Sequence, residues 1–447
     1  MLDIVIVGAG MAGLTCAYRL QQAGLVSYIF EGSERLGGRM YTARGVLPAQ
    51  QTAEYGGEFI DSDELAIRQL VTELALPLVD LSAIDEGRHE TYYFGGRHVE
   101  LAELLAAFQP LIPCIEADLN TLTGSGAITY DNPRNAEWLD RLSIADWFDR
   151  WRVRGLLRDV LEAAYVNEFG REIAEQSALN LLTLIGRQPG LWQVYGHSDE
   201  RFRLAGGSDQ LTQRIADQLW VPPFCGRRLQ ALAETGDGYR LSFETGGDVT
   251  ARCLVLALPF SILRTIDCQI ALPERQRLAI DTLGYGTNAK LITVYQRPVW
   301  HDHAAQGTSY STLGYLSSWE ATRGQLGQSA ALTHYLGGLR GERLGEGSVE
   351  DQADRIVQQI EQVFPGSAAA YSGQALRMHW PTQPFVQASY SCYLPGQWTT
   401  LRGVEGLPVG RLYFCGEHTS LIGHGKMNGA VESAERAASA LIDQRGR

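Results

Sequence analysis

The sequence of 447 residues contains 45% hydrophobic and 20% charged residues, a balance typical of a folded globular protein. A chain of this length exceeds what one hydrophobic core usually organises, so we expect two or three structural regions. The net charge of −13 disfavours nucleic acid and anionic membrane surfaces as partners. No apolar stretch approaches the length of a membrane span, so we expect no membrane association.

The cellular compartment and the metal content are predicted from the first residues and from the thiols. An apolar strand begins at Leu2, which leaves no room for a basic and apolar targeting segment before it. The seven cysteines are scattered and include no C-x-x-C pair, as expected for reduced thiols. No His/Cys group has metal-ligand spacing. We therefore expect a cytoplasmic protein without a metal site, and the oligomeric state stays open, a homodimer included.

The first strand runs directly into a glycine-rich turn and a helix. In the motif Gly-Ala-Gly-Met-Ala-Gly, the glycines allow a tight turn, close approach of backbone to a pyrophosphate, and close packing of helix on strand. The positive N-terminus of the helix then faces the pyrophosphate. An acidic residue after the second strand, Tyr28–Phe30, is placed to bind a ribose diol. The dinucleotide contacts predicted in this segment are Gly8, Gly10, Met11, Ala12, Gly13, Glu31 and Gly32.

A second motif follows at once, in Arg35-Leu-Gly-Gly-Arg39-Met-Tyr-Thr42. The pattern R-x-G-G-R-x-x-T just after the acidic residue resembles the signature of flavoproteins with two dinucleotide-binding domains. Together the two motifs favour FAD over NAD as the cofactor.

The middle of the chain alternates between helical and mixed patterns. Asp61, Ser62 and Asp63 are predicted to cap a helix that ends before Pro77. Residues from about 100 to 200 have a helical repeat and few β-branched runs, as in a helical insertion. Further on, we predict a helix at 209–219, strands at 239–243 and 253–258, strands at 291–295, 330–336 and 375–379, a helix at 350–363, and a last strand and helix at 411–415 and 427–440.

These elements predict an α/β protein with a discontinuous Rossmann-like FAD-binding domain, an inserted mixed-sheet (α+β) substrate domain and a helical insertion. We assign residues 1–80, 201–284 and 396–447 to the FAD-binding domain, residues 81–200 to the helical part of the substrate region, and residues 285–395 to the substrate-binding domain.

Taken in order, the motifs resemble the flavin-containing amine oxidase superfamily, which includes monoamine oxidase, polyamine oxidase and L-amino-acid oxidase. The resemblance rests on the N-terminal motifs, the loop at 55–59, Gly206-Gly207-Ser208, Lys290, Trp380, and the C-terminal segments from Gly416 and Met427. It implies that segments 206–208 and 228–229 complete the FAD site and that the last helix points its N-terminus at the flavin. The FAD contacts that it adds are Arg39, Gly56, Gly57, Glu58, Phe59, Leu229, Gly416, Glu417, Lys426, Met427 and Ala430.

The resemblance also implies residues near the reacting atoms. Lys290 matches the lysine that holds a water beside flavin N5, and Trp380 matches the aromatic residue packed against the flavin. Tyr390 lies ten residues past Trp380, where monoamine oxidases place one wall of an aromatic cage. These aromatic residues, and Tyr393, also fit an ordinary core. His418 is expected to be a structural hydrogen-bonding residue, and Glu58 either attracts a substrate cation or is a satisfied loop residue.

Three positions depart from the family pattern. Ser389 stands where monoamine oxidases carry the cysteine tethered to the flavin, so we expect non-covalent FAD. Phe59 stands where L-amino-acid oxidases of the snake-venom type place an arginine that clamps the substrate carboxylate. Lys426 replaces the second aromatic of the cage; it either pairs with a substrate carboxylate or extends away from the site. The candidate catalytic residues are thus Lys290, Trp380, Tyr390 and Lys426.

The resemblance implies an FAD-dependent oxidase for a small-molecule amine or amino acid. Hydride transfer from the α-carbon to flavin N5 gives an imine that water hydrolyses, and O2 reoxidises the flavin with release of H2O2. The first alternative is an L-amino-acid oxidase or dehydrogenase in which Lys426 helps to bind the carboxylate. More distant alternatives are a C–C desaturase-type flavoprotein and a non-catalytic flavoprotein.

Overall fold

The computed structural model of the chain describes residues 1–84 and 87–445, which build two seven-stranded sheets and the helices around them. The strands are β1 (Leu2–Val7), β2 (Tyr28–Phe30), β3 (Thr42–Ala43), β4 (Ala53–Glu54), β5 (Leu78–Asp80), β6 (His89–Phe94), β7 (Arg97–Val99), β8 (Phe202–Leu204), β9 (Leu229–Thr235), β10 (Gly238–Phe243), β11 (Asp248–Leu256), β12 (Asp267–Gln269), β13 (Ala289–Tyr295), β14 (Ala305–Ser311), β15 (Ser317–Glu320), β16 (Ala330–Leu336), β17 (Tyr371–His379) and β18 (Leu412–Phe414).

The helices lie between these strands and after the last one. They are α1 (Met11–Gln22), α2 (Leu65–Glu73), α3 (Leu101–Phe108), α4 (Ile112–Leu119), α5 (Glu137–Asp140), α6 (Ile144–Arg150), α7 (Gly155–Phe169), α8 (Ala178–Leu184), α9 (Asp209–Gln218), α10 (Phe260–Leu263), α11 (Glu274–Thr282), α12 (Gly338–Arg343), α13 (Val349–Val363), α14 (Ser367–Ala370) and α15 (Met427–Arg445).

The first sheet joins strands from the beginning, the middle and the end of the chain. Its order is β12-β9-β10-β11-β1-β2, and β18 also pairs with β11. The pairs β1–β2, β1–β11 and β11–β18 are parallel. Helices α1 and α15 cover these strands, which is why the strands consist mainly of apolar residues. Ile4, Ile6 and Val255 pack in one hydrophobic core with residues of both helices. This sheet confirms the predicted discontinuous Rossmann-like domain.

The second sheet has the order β17-β13-β16-β15-β14-β6-β7 and is mixed. Its pairs are antiparallel except β14–β6, which is parallel. The mixed-sheet substrate domain is therefore confirmed. Strands β6 and β7 come from the segment assigned to the helical region, which becomes helical only from α3 onward. The pairing of β6 with β14 links sequence positions more than two hundred residues apart.

Several predicted element ends were wrong. Helix α2 begins at Leu65, and no side chain caps its N-terminus. Asp61 does not cap it, because its carboxylate instead accepts hydrogen bonds from Lys426, Ser198 and the backbone N–H of Glu200. Strand β17 begins four residues earlier than predicted, and α15 continues past residue 440.

Candidate active site

A cavity of about 680 Å³ extends from the glycine-rich turn after β1 to the second sheet. This volume lies within the range of about 300–1,000 Å³ that small-molecule sites usually have. Gly8 and Glu31 beside the first sheet line it, as do Lys290, Trp319 and Tyr335 on the second sheet. Both sheets therefore contribute to one continuous site.

The glycine-rich turn has the geometry that a bound dinucleotide requires. Gly8 has φ +103°, and a Cβ on it would lie 2.7 Å from the carbonyl oxygen of Ala257. A Cβ on Gly13 would lie 1.9 Å from the carbonyl oxygen of Gly8, so Gly13 allows the close packing of α1 on the turn. Gly10 precedes α1, and no side chain caps this helix. The N-terminal N–H groups of α1 are thus available to a phosphate.

Almost all of the predicted cofactor contacts line the cavity; Gly13 does not, because it packs behind the turn. The carboxylate of Glu31 is fixed at the wall: Oε2 accepts a hydrogen bond from the N–H of Ala9 at 2.7 Å, and Oε1 accepts from the N–H and the hydroxyl of Ser33 at 2.9 and 2.8 Å. Segment 206–208 was also expected at the cofactor, but it is absent from the described cavity wall. Ser208 instead donates two hydrogen bonds to the carboxylate of Glu54.

Arg39, which is partly buried, and Glu417, which is buried, form an ion pair that joins the N-terminal and C-terminal motifs. Nη1 of Arg39 donates to Oε1 of Glu417 at 2.7 Å and to the carbonyl of Ser389 at 2.7 Å. Glu417 also accepts from the hydroxyl of Ser391 at 2.6 Å and from the N–H of Gly425 at 2.7 Å. Burial raises the pKa of Glu417, but Arg39 and these donors outweigh it and lower the pKa to about 2.

The loop at 56–59 can follow the cavity wall because its first two residues have no side chain. A Cβ on Gly56 would lie 1.7 Å from the carbonyl oxygen of Arg39, and a Cβ on Gly57 would lie 2.8 Å from the Sδ of Met427. Trp380 packs beside this loop and donates from Nε1 to the carbonyl of Tyr55 at 3.0 Å. Leu229, Gly416 and Ala430 line the cavity as the resemblance implied.

The chain contains only two lysines, and both line this cavity. Lys290 projects from β13 and is buried. Its Nζ donates to the carbonyls of Glu54 at 3.1 Å and Gly56 at 2.8 Å, and to Oε2 of Glu58 at 3.2 Å. An ammonium has three N–H donors, so protein acceptors use all of them here. Lys290 therefore anchors the loop at 56–59, and its role in holding a water stays a prediction.

Glu58 is the buried counter-ion of Lys290. Its Oε2 also accepts from Nε1 of Trp319 at 3.0 Å, and Nη1 of Arg203 lies 3.8 Å from Oε1. Within the described residues, Oε1 accepts no hydrogen bond. Of the two interpretations of Glu58, the structure thus favours a loop carboxylate that is largely satisfied by protein groups.

Aromatic side chains form the wall beyond Lys290. The rings of Phe59 and Trp319 lie 5.5 Å apart, as do those of Trp319 and Tyr335. The hydroxyl of Tyr335 donates to the hydroxyl of Tyr390 at 3.1 Å. We call Phe59, Trp319, Tyr335 and Tyr390 the aromatic wall. Tyr393 is buried in the core, where its hydroxyl donates to Glu405.

The sequence did not single out Trp319 and Tyr335. Tyr335 on β16 lies opposite Lys290 on β13 and opposite Ser317 on β15. Only the pairing register places these residues together, because a shift of one residue would turn Tyr335 to the opposite face of the sheet. A period-two pattern alone does not determine this register.

Lys426 lines the cavity, and its charge is already neutralised by carboxylates. Its Nζ lies 2.5 Å from Oδ2 of Asp61 and 3.3 Å from Oε1 of Glu64. Burial lowers the pKa of Lys426, but these carboxylates outweigh it and raise the pKa above its usual value. Burial raises the pKa of Glu64 to about 7 despite the nearby ammonium. Lys426 is thus a charged residue with two protein partners.

His418 was expected to be a structural hydrogen-bonding residue, but no protein group of the described chain bonds to its ring. Within residues 1–84 and 87–445, neither ring nitrogen has a hydrogen-bond partner. The ring packs edge-on against Phe260, with centroids 4.4 Å apart, and burial lowers the pKa of His418 to about 4. Because the neutral ring lines the cavity, its orphaned nitrogens fit a site in which a bound cofactor supplies polar partners.

The cysteine positions agree with a flavin held without a thioether. Ser389 lines the cavity and donates to Oδ1 of Asn288 at 2.6 Å, whereas Cys392 is buried beside Asn180. In the part of the chain that the structure describes, no cysteine lines the cavity.

Two further features are absent from the described residues. No group of three His, Cys, Asp or Glu residues among them is arranged to hold a metal ion. No helix among them is long and apolar enough to cross a membrane.

Comparison with known proteins agrees with this site. The model of the family described as flavin containing amine oxidoreductase matches residues 11–442. The chain belongs to this family. FAD is therefore its cofactor, as predicted, and the uncapped helix α1, the glycine turn and the carboxylate of Glu31 are the groups that would hold the dinucleotide.

The relatives of this chain are named for different substrates, amino acids in one case and amines in another. The chain is similar to an L-amino acid dehydrogenase of Synechocystis sp., with 25% identity over 98% of this chain and 94% of the relative. It is equally similar to the flavin-containing amine oxidase B of Sus scrofa, with 25% identity over 100% of this chain and 87% of the relative.

Solved structures of the family share the fold across the whole chain. A putrescine oxidase bound to putrescine superimposes with a TM-score of 0.84 at 21% identity and 99% coverage of both chains. A cyclohexylamine oxidase from Brevibacterium oxydans superimposes with a TM-score of 0.85 at 20% identity and 100% coverage of both.

Proposed function

We propose that this enzyme oxidises the C–N bond of a small-molecule amine by oxidative deamination. FAD supplies the chemistry when bound, since its N5 accepts a hydride from the α-carbon of the amine and O2 then takes the electrons to give H2O2. Water hydrolyses the imine product to a carbonyl compound. The observation that carries this proposal is the aromatic wall, which faces the same cavity as the glycine-rich turn.

The side chains contribute orientation and desolvation. The aromatic wall presents ring faces and edges to the substrate and excludes water from it. An amine that binds there loses solvation of its charged form, which lowers its pKa and favours the neutral amine that can release a hydride. The Lys290–Glu58 pair holds the loop at 56–59 in position, and we name no general base.

An L-amino-acid oxidase or dehydrogenase is the second candidate, and similarity to the Synechocystis enzyme supports it. A substrate carboxylate needs a cation, and Lys426 is the residue that we considered for this role. Because Asp61 and Glu64 already pair with Lys426, a carboxylate has to compete with both. Phe59 supplies no charge at the position where an arginine clamp is expected. These contacts favour amines.

A peroxide-coupled screen of the FAD-loaded enzyme tests the proposal, with amines, polyamines and the twenty amino acids as substrates. We expect peroxide with one or more amines. Turnover of amino acids alone would replace the proposal by the second candidate. Reduction of an artificial electron acceptor without peroxide would identify a dehydrogenase.

The role of Lys290 in the reaction with O2 has its own test. We expect Lys290→Met to slow the reoxidation of reduced flavin more than it changes substrate KM, because the buried ammonium stabilises negative charge that develops on oxygen. Lys290→Arg, which keeps the charge, serves as the matched variant. An unchanged reoxidation rate in Lys290→Met, measured by stopped-flow absorbance, would leave Lys290 with the structural role alone.

A further inference from the structure

Two segments of the predicted FAD motifs lie behind the cavity instead of facing it. Thr42, which ends the second N-terminal motif, and the turn at 206–208 are both absent from the described cavity wall. The structure places them against each other. Gly207 has φ +112°, and a Cβ on it would lie 2.5 Å from Cγ2 of Thr42, so a side chain at this position would prevent the close approach. The two segments therefore share a role other than direct contact with FAD.

A buried carboxylate lies between these two segments. Oε2 of Glu54 accepts from the hydroxyls of Thr42 at 2.8 Å and Ser208 at 2.9 Å, and Oε1 accepts from the N–H of Ser208 at 2.8 Å. All three residues are buried. Burial, followed by repulsion from Glu58, raises the pKa of Glu54 to about 7. Because a buried carboxyl group without hydrogen bonds is costly, these donors determine where the side chain of Glu54 lies.

The backbone of Glu54 connects this cluster to the cavity. Glu54 ends strand β4, where it pairs with Thr42 of β3, and the loop at 56–59 begins two residues later. Its carbonyl accepts a hydrogen bond from Nζ of Lys290 at 3.1 Å. A displacement of Glu54 would therefore move both the loop and an acceptor of the Lys290 ammonium.

The loop at 56–59 is thus held from two sides. Lys290 holds it from strand β13 of the second sheet. Thr42 and Ser208 hold it from the opposite side, through the carboxylate of Glu54. Its first two residues are glycines, whose backbone has more conformational freedom than that of other residues. Contacts from outside the loop are consequently needed to give it one conformation.

We propose that Glu54 is a positioning residue of the FAD site, which fixes the loop at 56–59 and the ammonium of Lys290 through its contacts with Thr42 and Ser208. The turn at 206–208 then contributes to cofactor binding through Glu54, without reaching the cavity. This role goes beyond the proposed function, because it depends on FAD and not on which substrate is oxidised.

Removal of one hydroxyl from the cluster tests the proposal with little change of shape. We expect Thr42→Val to release FAD about tenfold faster, the effect of losing one hydrogen bond to a buried carboxyl group, and to shift the visible absorption of the bound flavin. Ser208→Ala, which removes the other hydroxyl, should act in the same direction. Thr42→Ser keeps the hydroxyl and should retain the wild-type rate and spectrum. FAD release is measured by fluorescence after dilution of the FAD-loaded enzyme, so no substrate is needed.

Thr399→Val is the matched control. Thr399 donates from its hydroxyl and its N–H to Oδ2 of Asp140, both at 2.8 Å, and Oδ1 of Asp140 accepts from the hydroxyl of Ser177 at 2.8 Å. Asp140 is thus a buried carboxylate with the same kinds of donors as Glu54, and its cluster is absent from the described cavity wall. Thr399→Val should lower the melting temperature about as much as Thr42→Val and leave FAD release and the flavin spectrum unchanged.

A double variant distinguishes positioning of the loop from a general loss of stability. If both sides hold the same loop, Thr42→Val combined with Lys290→Met should release FAD more slowly than the product of the two single effects predicts. Independent effects of the two substitutions would overturn the proposal. So would an unchanged release rate and spectrum in Thr42→Val, or equal changes in Thr399→Val. Failure of every amine to reduce the flavin would refute the proposed function and leave this role of Glu54 standing.

Discussion

Lys290 provides the sharpest test of how the site is held together. Its side chain is 6% exposed and that of its partner Glu58 is 2% exposed. In Lys290→Met, the buried carboxylate of Glu58 loses its nearest cation, and two loop carbonyls lose a donor. The loop at 56–59 then loses its anchor on β13.

The size of the effect follows from these contacts. Breaking a buried ion pair by removing one partner costs about 3–5 kcal/mol. Arg203 remains 3.8 Å from Oε1 of Glu58 and Trp319 still donates to Oε2, so we expect the lower end of this range, about 3 kcal/mol. For a chain of 447 residues the melting temperature shifts by about 1 °C per kcal/mol, so it falls by roughly 3 °C.

A double-mutant cycle with Glu58→Gln measures the interaction itself. Thermal and denaturant unfolding of the FAD-loaded single and double variants should give a coupling energy of about 1–3 kcal/mol, because the double variant leaves no uncompensated charge. The exposed pair Arg297–Asp302 is the matched control; it lies just beyond the same strand, and its coupling should stay below about 1 kcal/mol. Additive effects of Lys290→Met and Glu58→Gln would refute the reasoning.

Three further predictions follow from single contacts. The pKa of Glu417 is about 2 in the folded protein, so its charge stabilises the fold above pH ~4.3, by about 3 kcal/mol in all. This stabilisation is lost as pH falls toward 2, and acid unfolding of Glu417→Gln should lack this part of the pH dependence. Identical acid transitions of the variant and the wild type would contradict the prediction. Gly56→Ala should lose FAD during gel filtration, because its Cβ meets a carbonyl oxygen at 1.7 Å, whereas Gly236→Ala, with open space around it, should retain FAD. Lys426→Met should lower the melting temperature, because it leaves the buried carboxylate of Asp61 without its ammonium partner. The ratio of amino-acid turnover to amine turnover should not change. A selective loss of amino-acid turnover would contradict this and show that Lys426 binds a substrate carboxylate.

The fold was predictable from the sequence where local patterns determine it. The apolar run of β1, the glycine turn and the start of α1 depend on neighbouring residues, and they lie where the motif predicted. The N-cap assigned to Asp61 was wrong because its carboxylate pairs with Lys426, which is 365 residues away. Long-range competition of this kind leaves no local signal. The domain boundaries, the cytoplasmic location and a homodimer stay predictions.

Some residues of the candidate site could likewise be predicted from local motifs, whereas others depend on long-range contacts. Cofactor contacts come from short motifs, so Gly8, Glu31 and Glu417 could be named from the sequence and line the cavity. Trp319 and Tyr335 could not, because their position depends on the register of three strands.

The central claim is that an amine bound at the aromatic wall reduces FAD in this cavity. Anaerobic mixing of the FAD-loaded enzyme with amines, followed by absorbance, tests it most directly. We predict that the oxidised flavin spectrum bleaches with at least one amine at a rate that saturates with amine concentration, and that the spectrum returns when O2 is admitted. A flavin that stays oxidised with every amine and amino acid tried would contradict the account.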